Sequence, residues 1–222
     1  MCPLETDVDL LLQSSTFGED PFASFVERSR SAGLPEIQVS TVFGRFLELV
    51  TRLTSASLIV EVGTLGGYSA AWMARGFVGE GRIISLEIDA HHADVARENL
   101  RSVNLASRVD VRVGAALETF PRLREDAAIA GHVDLSFIDA DKVNNPHYVN
   151  AAVELSRPGA VIIVDNVVRG GSVLDANSDN PMVVGSRDVL ALLGSHPRLE
   201  ATALQTVGVK GHDGFAFALV ST

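Results

Sequence analysis

The sequence predicts an α/β protein in which helices cover both faces of a doubly wound, mostly parallel sheet. From Leu58 onward, short runs of apolar β-branched residues alternate with segments of helical period, which is the pattern of repeated strand–helix units. The runs are apolar throughout instead of alternating with polar residues, as expected for strands buried on both faces. Glycine-rich or acidic residues follow several runs, and such sheets bind ligands at the carboxyl ends of their strands.

Five runs are predicted to form the parallel strands, at residues 58–62, 83–86, 109–113, 133–138 and 160–164. The triplet Arg157-Pro158-Gly159 marks the entry to the fifth strand. Two later runs, 201–207 and 215–220, are separated by a glycine-rich stretch, a spacing that favours a β-hairpin. We therefore expect five parallel strands followed by a hairpin.

Helices are predicted before and between these strands. A helix that packs on the core is indicated by apolar residues that repeat every three or four positions: Val39, Val42, Phe43, Phe46, Val50 and Leu53. Asp89 is placed to cap a second amphipathic helix, whose apolar positions are Ala93, Ala96, Leu100 and Val103. Residues 1–34 are less regular, and we expect one or two short helices there that cap the domain or contact a partner chain.

The segment 169–186 is rich in Gly, Asp, Asn, Ser and Pro and has few large apolar residues. It is predicted to be a long loop, and long loops in compact domains are often lids or binding loops. Ser186 is expected to cap a short helix that ends at Gly194, with Pro197 following.

Charge and composition limit the functions open to the chain. Its 222 residues include 18 basic and 28 acidic side chains, which give a net charge of −10. One domain spanning residues 1–222 is expected, with residues 35–222 as the α/β core. The acidic balance argues against a nucleic-acid partner, because such binding depends on neutralising phosphates.

The sequence also bears on location. No run reaches the ~18 apolar residues that a membrane-spanning helix needs, so no membrane partner is expected. The first residues lack the basic and apolar regions of a secretory signal, and we expect a cytoplasmic protein. The one cysteine, Cys2, can form neither an internal disulfide nor a cysteine-based zinc site.

The first strand leads into a glycine-rich turn, residues 63–67, that opens a helix. A nucleotide-like ligand lies against such a turn and the helix N-terminus in doubly wound sheets. The spacing is not G-x-G-x-x-G, and a tight turn without a ligand is the alternative. Glu87 ends the second strand about 20 residues further on, where an acidic side chain can accept hydrogen bonds from ribose hydroxyls. This favours an adenosine-containing cofactor.

Side chains with oxygen ligands end the fourth and fifth strands. Asp139 and Asp141 follow the fourth strand, and Asp165 and Asn166 follow the fifth. Both strand ends should lie at the edge of the sheet that carries the glycine turn. Asp139, Asp165 and Asn166 would give three hard oxygen ligands, a set that suits Mg²⁺ or Ca²⁺. Each could instead cap a helix or begin a turn, but three at one edge favour the metal site.

Lysine is rare in this chain. Of 18 basic residues only Lys142 and Lys210 are lysines, and Lys142 follows the fourth strand. Lysine can lose its proton when it is buried, whereas arginine cannot act as a base. Lys142 is therefore a candidate general base, with a solvated surface lysine as the alternative.

Together these segments resemble the S-adenosylmethionine-dependent O-methyltransferases of the caffeoyl-CoA and catechol type. The resemblance runs from about Ile37 to the C-terminus. It is carried by residues 61–69, Glu87, 113–116, 138–142 and 165–166. It implies a Rossmann-like seven-stranded sheet with an antiparallel last strand, which agrees with five strands and a hairpin. It also implies a homodimer.

The resemblance implies a role for each cofactor-binding residue. Glu87 would take the ribose hydroxyls, Ala116 would meet the adenine through its backbone, and Asp141 would lie in the same pocket. The methionine part of S-adenosylmethionine would be held by Val39, Glu61, Gly63, Thr64 and Ser69.

The resemblance also implies the chemistry. Asp139, Asp165 and Asn166 match the ligands of a divalent metal, usually Mg²⁺, and Lys142 matches the general base. A phenolic acceptor with two adjacent hydroxyls would bind the metal, and one hydroxyl would take the methyl group. The chain departs from the plant members at residues 169–171, which lie next to the acceptor, and in its N-terminal segment.

Two other functions fit parts of the pattern. An NAD(P)-dependent oxidoreductase would use the same kind of sheet and an acidic residue such as Glu87, but no G-x-G-x-x-G spacing and no Ser-Tyr-Lys set are evident. A non-catalytic protein that binds S-adenosylmethionine or a nucleotide would have no need of a metal beside a base.

Overall fold

A computed structural model describes residues 3–222, so Cys2 lies outside the described residues. The strands are β1 Leu58–Val62, β2 Arg82–Glu87, β3 Val109–Val113, β4 Val133–Ile138, β5 Ser156–Asp165, β6 Leu199–Gly208 and β7 Gly211–Val220. The helices are α1 Pro3–Thr16, α2 Ala23–Ser31, α3 Thr41–Leu53, α4 Tyr68–Gly76, α5 Ala90–Ser102, α6 Ala116–Glu125, α7 Asn145–Leu155 and α8 Pro181–Ser195. Short 3₁₀ turns occupy Lys142–Asn144 and Arg169–Leu174.

The seven strands form one sheet in the order β3-β2-β1-β4-β5-β7-β6. Strands β1 to β5 are parallel, and β7 runs antiparallel to both β5 and β6. The predicted α/β fold with a mostly parallel sheet is therefore confirmed, including the hairpin. The chain winds outward in opposite directions from β1 and β4, so the switch point where ligands bind lies between these two strands.

Two apolar layers cover the sheet, one on each face. Val60 of β1 belongs to one layer, together with Phe120 of α6 and Val149 of α7, whereas the adjacent Ile59 belongs to the other layer, together with Leu47 of α3. Successive side chains of a strand point to opposite faces, so a strand covered on both faces is apolar at most positions. This explains the mainly apolar runs of the central strands. The prediction of an apolar run is wrong for β3, an edge strand in which the buried Val109 and Val111 alternate with Asp110 and Arg112. Within residues 3–222, no helix is both long enough and apolar enough to cross a bilayer.

The predicted bounds of the fifth strand are wrong. Strand β5 begins at Ser156, so Arg157-Pro158-Gly159 lies inside it and not before it. The register with β4 shifts between Val133 and Leu135, which leaves room for the triplet as a bulge. The Arg157 guanidinium donates to Asp134, which secures this irregular stretch against the neighbouring strand.

The predicted long loop and its helix cap are also partly wrong. Helix α8 begins at Pro181, and Asn180 is its N-cap, because the Asn180 side chain accepts from the Met182 N–H at 3.0 Å. Ser186 is buried inside the helix and donates to the Met182 carbonyl at 3.0 Å. An Asn-Pro pair is itself a helix-start signal, which we overlooked in a segment rich in turn residues.

Other helix predictions hold. Asp89 caps α5 by accepting from the N–H groups of His91 and His92. The N-terminal segment forms two helices, α1 and α2, as expected. Helix α3 follows most of the predicted apolar period, but Val39 lies before its N-cap Ser40, and Leu53 in its last turn is 83% exposed and does not belong to the core.

Candidate active site

The turn after β1 lies against the end of β4. Gly63 has a φ of +100°, and a Cβ atom at this position would lie 2.1 Å from the carbonyl oxygen of Asp139, so glycine is required. The Asp139 N–H donates to the Val62 carbonyl at 2.9 Å. The glycine turn and the acidic strand end therefore meet at the switch point of the sheet.

A cavity of about 750 Å³ opens above these strand ends, a size typical of small-molecule sites. Most of the site residues that the sequence indicated line it: Val39, Gly63, Thr64, Ser69, Glu87, Ala116, Asp139, Asp141, Lys142 and Asn166. Two do not line the wall. Glu61 lies behind Ser69, and Asp165 directly precedes Asn166.

Glu61 is fully buried at the end of β1. Its carboxylate accepts from the hydroxyls of Ser69 and Ser85, both at 2.5 Å. Burial raises the pKa of Glu61 to about 7, against the lowering effect of these two hydrogen bonds. Glu61 thus orients Ser69, which does line the cavity.

Glu87 fixes the glycine turn. Its Oε2 accepts from the backbone N–H groups of Thr64 and Leu65, at 3.1 and 2.7 Å. Its Oε1 accepts from the Asp89 N–H at 3.0 Å. Glu87 also lines the cavity, so it has a structural role in the turn that the sequence did not indicate, in addition to the position expected for a ribose-binding carboxylate.

Lys142 and Asp139 form an ion pair in which the lysine is buried and the aspartate is partly exposed. Lys142 Nζ donates to Asp139 Oδ1 at 2.9 Å, and Lys142 is only 4% exposed. Asp139 directly follows β4, and Lys142 begins the 3₁₀ turn of residues 142–144 three positions later. Lys142 is therefore not the solvated surface lysine of the alternative interpretation.

Asp165 ends β5 next to this pair. Burial, reinforced by the Asp139 carboxylate, raises the pKa of Asp165 to about 8, although Lys142 and the N–H of Asn166 lower it. Within residues 3–222, no three His, Cys, Asp or Glu side chains are grouped as for a metal ion. The third ligand predicted from the sequence is an amide, that of Asn166, which lines the cavity.

The chain has two tyrosines, and both line the cavity. The Tyr148 hydroxyl donates to Asp141 at 2.5 Å, and the Tyr68 hydroxyl donates to Asp20 at 2.7 Å. Burial raises the pKa of each tyrosine. The second Asp141 oxygen accepts from the Asn144 amide at 2.6 Å, so Asp141 is held on both sides and does not cap a helix. Neither tyrosine was predicted as a site residue, although the rarity of tyrosine in this chain was a usable signal.

Helix α2 supplies a wall of the cavity that the sequence pattern did not indicate. Phe25, Val26 and Ser29 line the cavity from this helix. Asn99 of α5 donates to the carbonyl of Gly66 at 2.9 Å and lies 3.4 Å from the Ser29 hydroxyl. The N-terminal segment is thereby joined to the glycine turn.

Comparison with known proteins assigns the family. The chain matches the sequence profile of the O-methyltransferase family over residues 14–217. It belongs to this family. The alternative of an NAD(P)-dependent oxidoreductase is therefore wrong, and so is that of a non-catalytic binding protein.

Two curated relatives of this O-methyltransferase are named catechol O-methyltransferase. The one from Mycobacterium tuberculosis is 49% identical over 219 residues, which cover 98% of this chain and 97% of the relative. The one from Niastella koreensis is 45% identical over 204 residues, which cover 92% of this chain and 91% of the relative.

A solved structure agrees in fold and cofactor. An O-methyltransferase from Bacillus cereus, in complex with S-adenosylhomocysteine, has a TM-score of 0.96 and 44% sequence identity, with 100% of each chain covered. S-adenosylhomocysteine is what remains of S-adenosylmethionine after methyl transfer. The chain described here is an S-adenosylmethionine-dependent O-methyltransferase.

Proposed function

We propose that this enzyme transfers a methyl group from S-adenosylmethionine to one hydroxyl of a catechol-type acceptor, with a divalent cation bound at the strand ends. The observation that carries the proposal is the ion pair of Lys142 and Asp139 at 2.9 Å in the cavity wall, beside Asp165 and Asn166. The names of the two curated relatives support the acceptor class.

The residues at the strand ends fit a divalent cation. The Asp139 carboxylate adds to the rise in the pKa of Asp165, so the two negative charges oppose each other. A cation held by Asp139, Asp165 and Asn166 would relieve that repulsion. These are hard oxygen donors of the kind that Mg²⁺ prefers. When bound, the cation would supply positive charge that favours the ionised form of an acceptor hydroxyl.

Lys142 is assigned the proton transfer. Its Nζ lies in the cavity wall beside Asp139, within reach of an acceptor hydroxyl that approaches this edge. In the ion pair with Asp139 the Lys142 amine carries a proton, so it would first release that proton to solvent and would then take the hydroxyl proton. The oxygen would then form a bond to the methyl carbon as the carbon–sulfur bond breaks, and S-adenosylhomocysteine would leave. Lys142 would release its proton to solvent before the next turnover.

The methyl donor is assigned to the side of the cavity formed by the glycine turn. Glu87 would accept from the ribose hydroxyls, and Asp141, held by Tyr148, would face the same ligand. The other assigned contacts are Val39, Gly63, Thr64, Ser69 and Ala116, with Glu61 behind Ser69. Holding donor and acceptor at contact distance is a major source of acceleration in such reactions.

The acceptor class can be tested with three small phenols. Catechol has two adjacent hydroxyls, phenol has one, and 2-methoxyphenol has one of the pair blocked. With S-adenosylmethionine and Mg²⁺, we expect rapid formation of methylated catechol, detected by mass spectrometry, and little product from the other two. Equal rates with phenol and catechol would contradict the proposal, because a single hydroxyl would then suffice.

We also infer that the enzyme is a homodimer. The edge strand β6 exposes Leu204 and Val207, and an unpaired edge strand favours association. Helix α1 exposes a row of large apolar side chains, at Leu4, Val8, Leu10, Leu11 and Leu12. Light scattering during size-exclusion chromatography should give twice the chain mass of 23.6 kDa. A single species at the chain mass would contradict the inference.

A further inference from the structure

One cationic side chain in the cavity wall has no acidic partner. Lys142 is paired with Asp139, and His92 Nδ1 lies 3.8 Å from Glu87 Oε1. Arg169 lines the same cavity, and no carboxylate in the part of the chain that the structure describes lies within 4.0 Å of its guanidinium. Arg169 is therefore free to bind an anionic ligand.

The backbone holds Arg169 at this wall in a strained conformation. Its φ is +53°, in the left-handed region that residues other than glycine rarely adopt. Asp213 of β7 fixes the turn, because its Oδ1 accepts from the N–H groups of Val168 and Arg169 at 3.2 and 2.8 Å. Such strain is concentrated at functional sites. The position from which the Arg169 side chain leaves the backbone is thus determined by the fold.

Arg169 belongs to the loop that carries Asn166. Both residues follow β5, both line the cavity, and Asn166 also has a positive φ, of +57°. Because Asn166 is assigned to the cation, an acceptor bound there would lie on the same loop as Arg169. Met182 at the start of α8 supplies an apolar part of this wall.

We propose that Arg169 selects acceptors in which a carboxylate is attached to the catechol ring, by pairing its guanidinium with that carboxylate. The proposal rests on the catechol function proposed above. A planar guanidinium matches a carboxylate with two parallel hydrogen bonds, so it provides geometry as well as charge. The protein has a net charge of −10, so a cationic side chain beside the acceptor favours an anionic ring substituent over a neutral one.

Two acceptors of nearly the same shape test the proposal. The first, 3,4-dihydroxybenzoate, carries a carboxylate, and the second, 3,4-dihydroxybenzamide, replaces it with a neutral amide. With saturating S-adenosylmethionine and Mg²⁺, the wild-type enzyme should prefer the benzoate in kcat/KM by about 10- to 100-fold. Arg169→Gln should bring the ratio close to one, chiefly through KM of the benzoate. Arg169→Lys should give an intermediate ratio, since lysine keeps the positive charge but cannot donate two parallel hydrogen bonds to a carboxylate.

Arg101→Gln is the matched control, because Arg101 is exposed on α5 and lies outside this cavity. It should keep the wild-type ratio. Circular dichroism and the dissociation constant of S-adenosylmethionine establish that each variant is folded. Should Arg169→Gln fail to fold, the role of Arg169 is decided by the ratio of kcat/KM for the benzoate to that for the benzamide, measured in the wild type and in Arg169→Lys.

The outcomes separate this proposal from the one it rests on. Equal kcat/KM for the two acceptors in the wild type, or a preference that survives Arg169→Gln, overturns the role of Arg169 and leaves catechol methylation standing. If neither acceptor nor catechol itself is methylated, the proposed function fails, and the selection by Arg169 fails with it.

Discussion

Lys142 Nζ donates a 2.9 Å hydrogen bond to Asp139 Oδ1 at the end of β4, and the lysine is 4% exposed. The proposed base and a proposed metal ligand are therefore held against each other by this hydrogen bond, with Lys142 at the start of a 3₁₀ turn. Any change at one of them should affect the other. Variants must accordingly be examined for metal affinity as well as for turnover.

Replacing Lys142 tests the proton transfer. Lys142→Arg keeps a positive charge beside Asp139, but a guanidinium stays protonated at any working pH. We expect Lys142→Arg and Lys142→Ala to lose methyl transfer by about 10²- to 10⁴-fold, the usual contribution of a positioned acid–base group. Binding of S-adenosylmethionine, measured by calorimetry, should be nearly unchanged.

The chain provides a matched control in its other lysine. Lys210 Nζ donates to the carbonyl of Glu36 and has no assigned role in the reaction, so Lys210→Arg should keep wild-type turnover. Near-native activity of Lys142→Arg would show that Lys142 supplies charge only and that another group takes the proton.

Glu87→Ala should weaken cofactor binding. It removes the acceptor for the N–H groups of Thr64 and Leu65, as well as the carboxylate proposed for the ribose. We expect a loss of about 1–3 kcal/mol in the binding free energy of S-adenosylmethionine, with the metal requirement unaltered. Glu87→Gln keeps one acceptor oxygen and should lose less. A dissociation constant unchanged in Glu87→Ala would count against this placement.

Glu61 should make stability depend on pH. Burial raises its pKa to about 7, from 4.5 for an ordinary glutamate. Its contribution is fully present below pH 4.5 and is lost as pH rises to about 7, because the unfolded chain ionises first. The loss is of the order of 3 kcal/mol.

The comparison variant is Glu61→Gln, which cannot titrate. Urea unfolding between pH 5 and pH 8, with chelator present, should show the wild type losing stability relative to Glu61→Gln as pH rises. Parallel stability curves for the two proteins would mean that Glu61 is ionised throughout this range.

Tyr148 is predicted to act through Asp141. Tyr148→Phe removes the hydrogen bond to the Asp141 carboxylate and leaves the aromatic ring. We expect S-adenosylmethionine to bind more weakly by about 0.5–1.5 kcal/mol. In an Asp141→Asn background the same substitution should have a much smaller effect. A full additive loss in the double variant would show that Tyr148 acts independently of Asp141.

The sequence predicted the parts of this fold that depend on local pattern. Short runs rich in β-branched residues mark strands, so the bounds of β1, β3 and β4 match the prediction, although the edge strand β3 alternates buried valines with polar residues that are not buried. The start of β5 did not, because its bulge depends on the pairing of Arg157 with Asp134 in another strand. A single sequence contains no record of that pairing.

In the candidate active site, too, residues marked by a local sequence pattern were predicted, and contacts between distant positions were not. Asp139, Lys142 and Asn166 were predicted because they follow predicted strands, and parallel strands end at one edge of a sheet. The contact between Tyr68 and Asp20 joins positions 48 residues apart, so no local period indicates it. The cavity wall formed by α2 likewise depends on contacts between distant parts of the chain. The cofactor contact of Glu61 stays a prediction, and the hydrogen bond that Ser69 donates to its carboxylate is a contact that no local pattern indicated.

The most direct test of the account is the rate of a single turnover on catechol after the enzyme has been stripped of metal. With saturating S-adenosylmethionine, the rate should be nearly abolished in chelator and restored by Mg²⁺, because the cation is assigned several kcal/mol of transition-state stabilisation. Asp165→Ala should behave like the stripped enzyme and should not be restored by the same Mg²⁺ concentration. A stripped wild-type enzyme that methylates catechol at the full rate would contradict the proposed metal-dependent reaction.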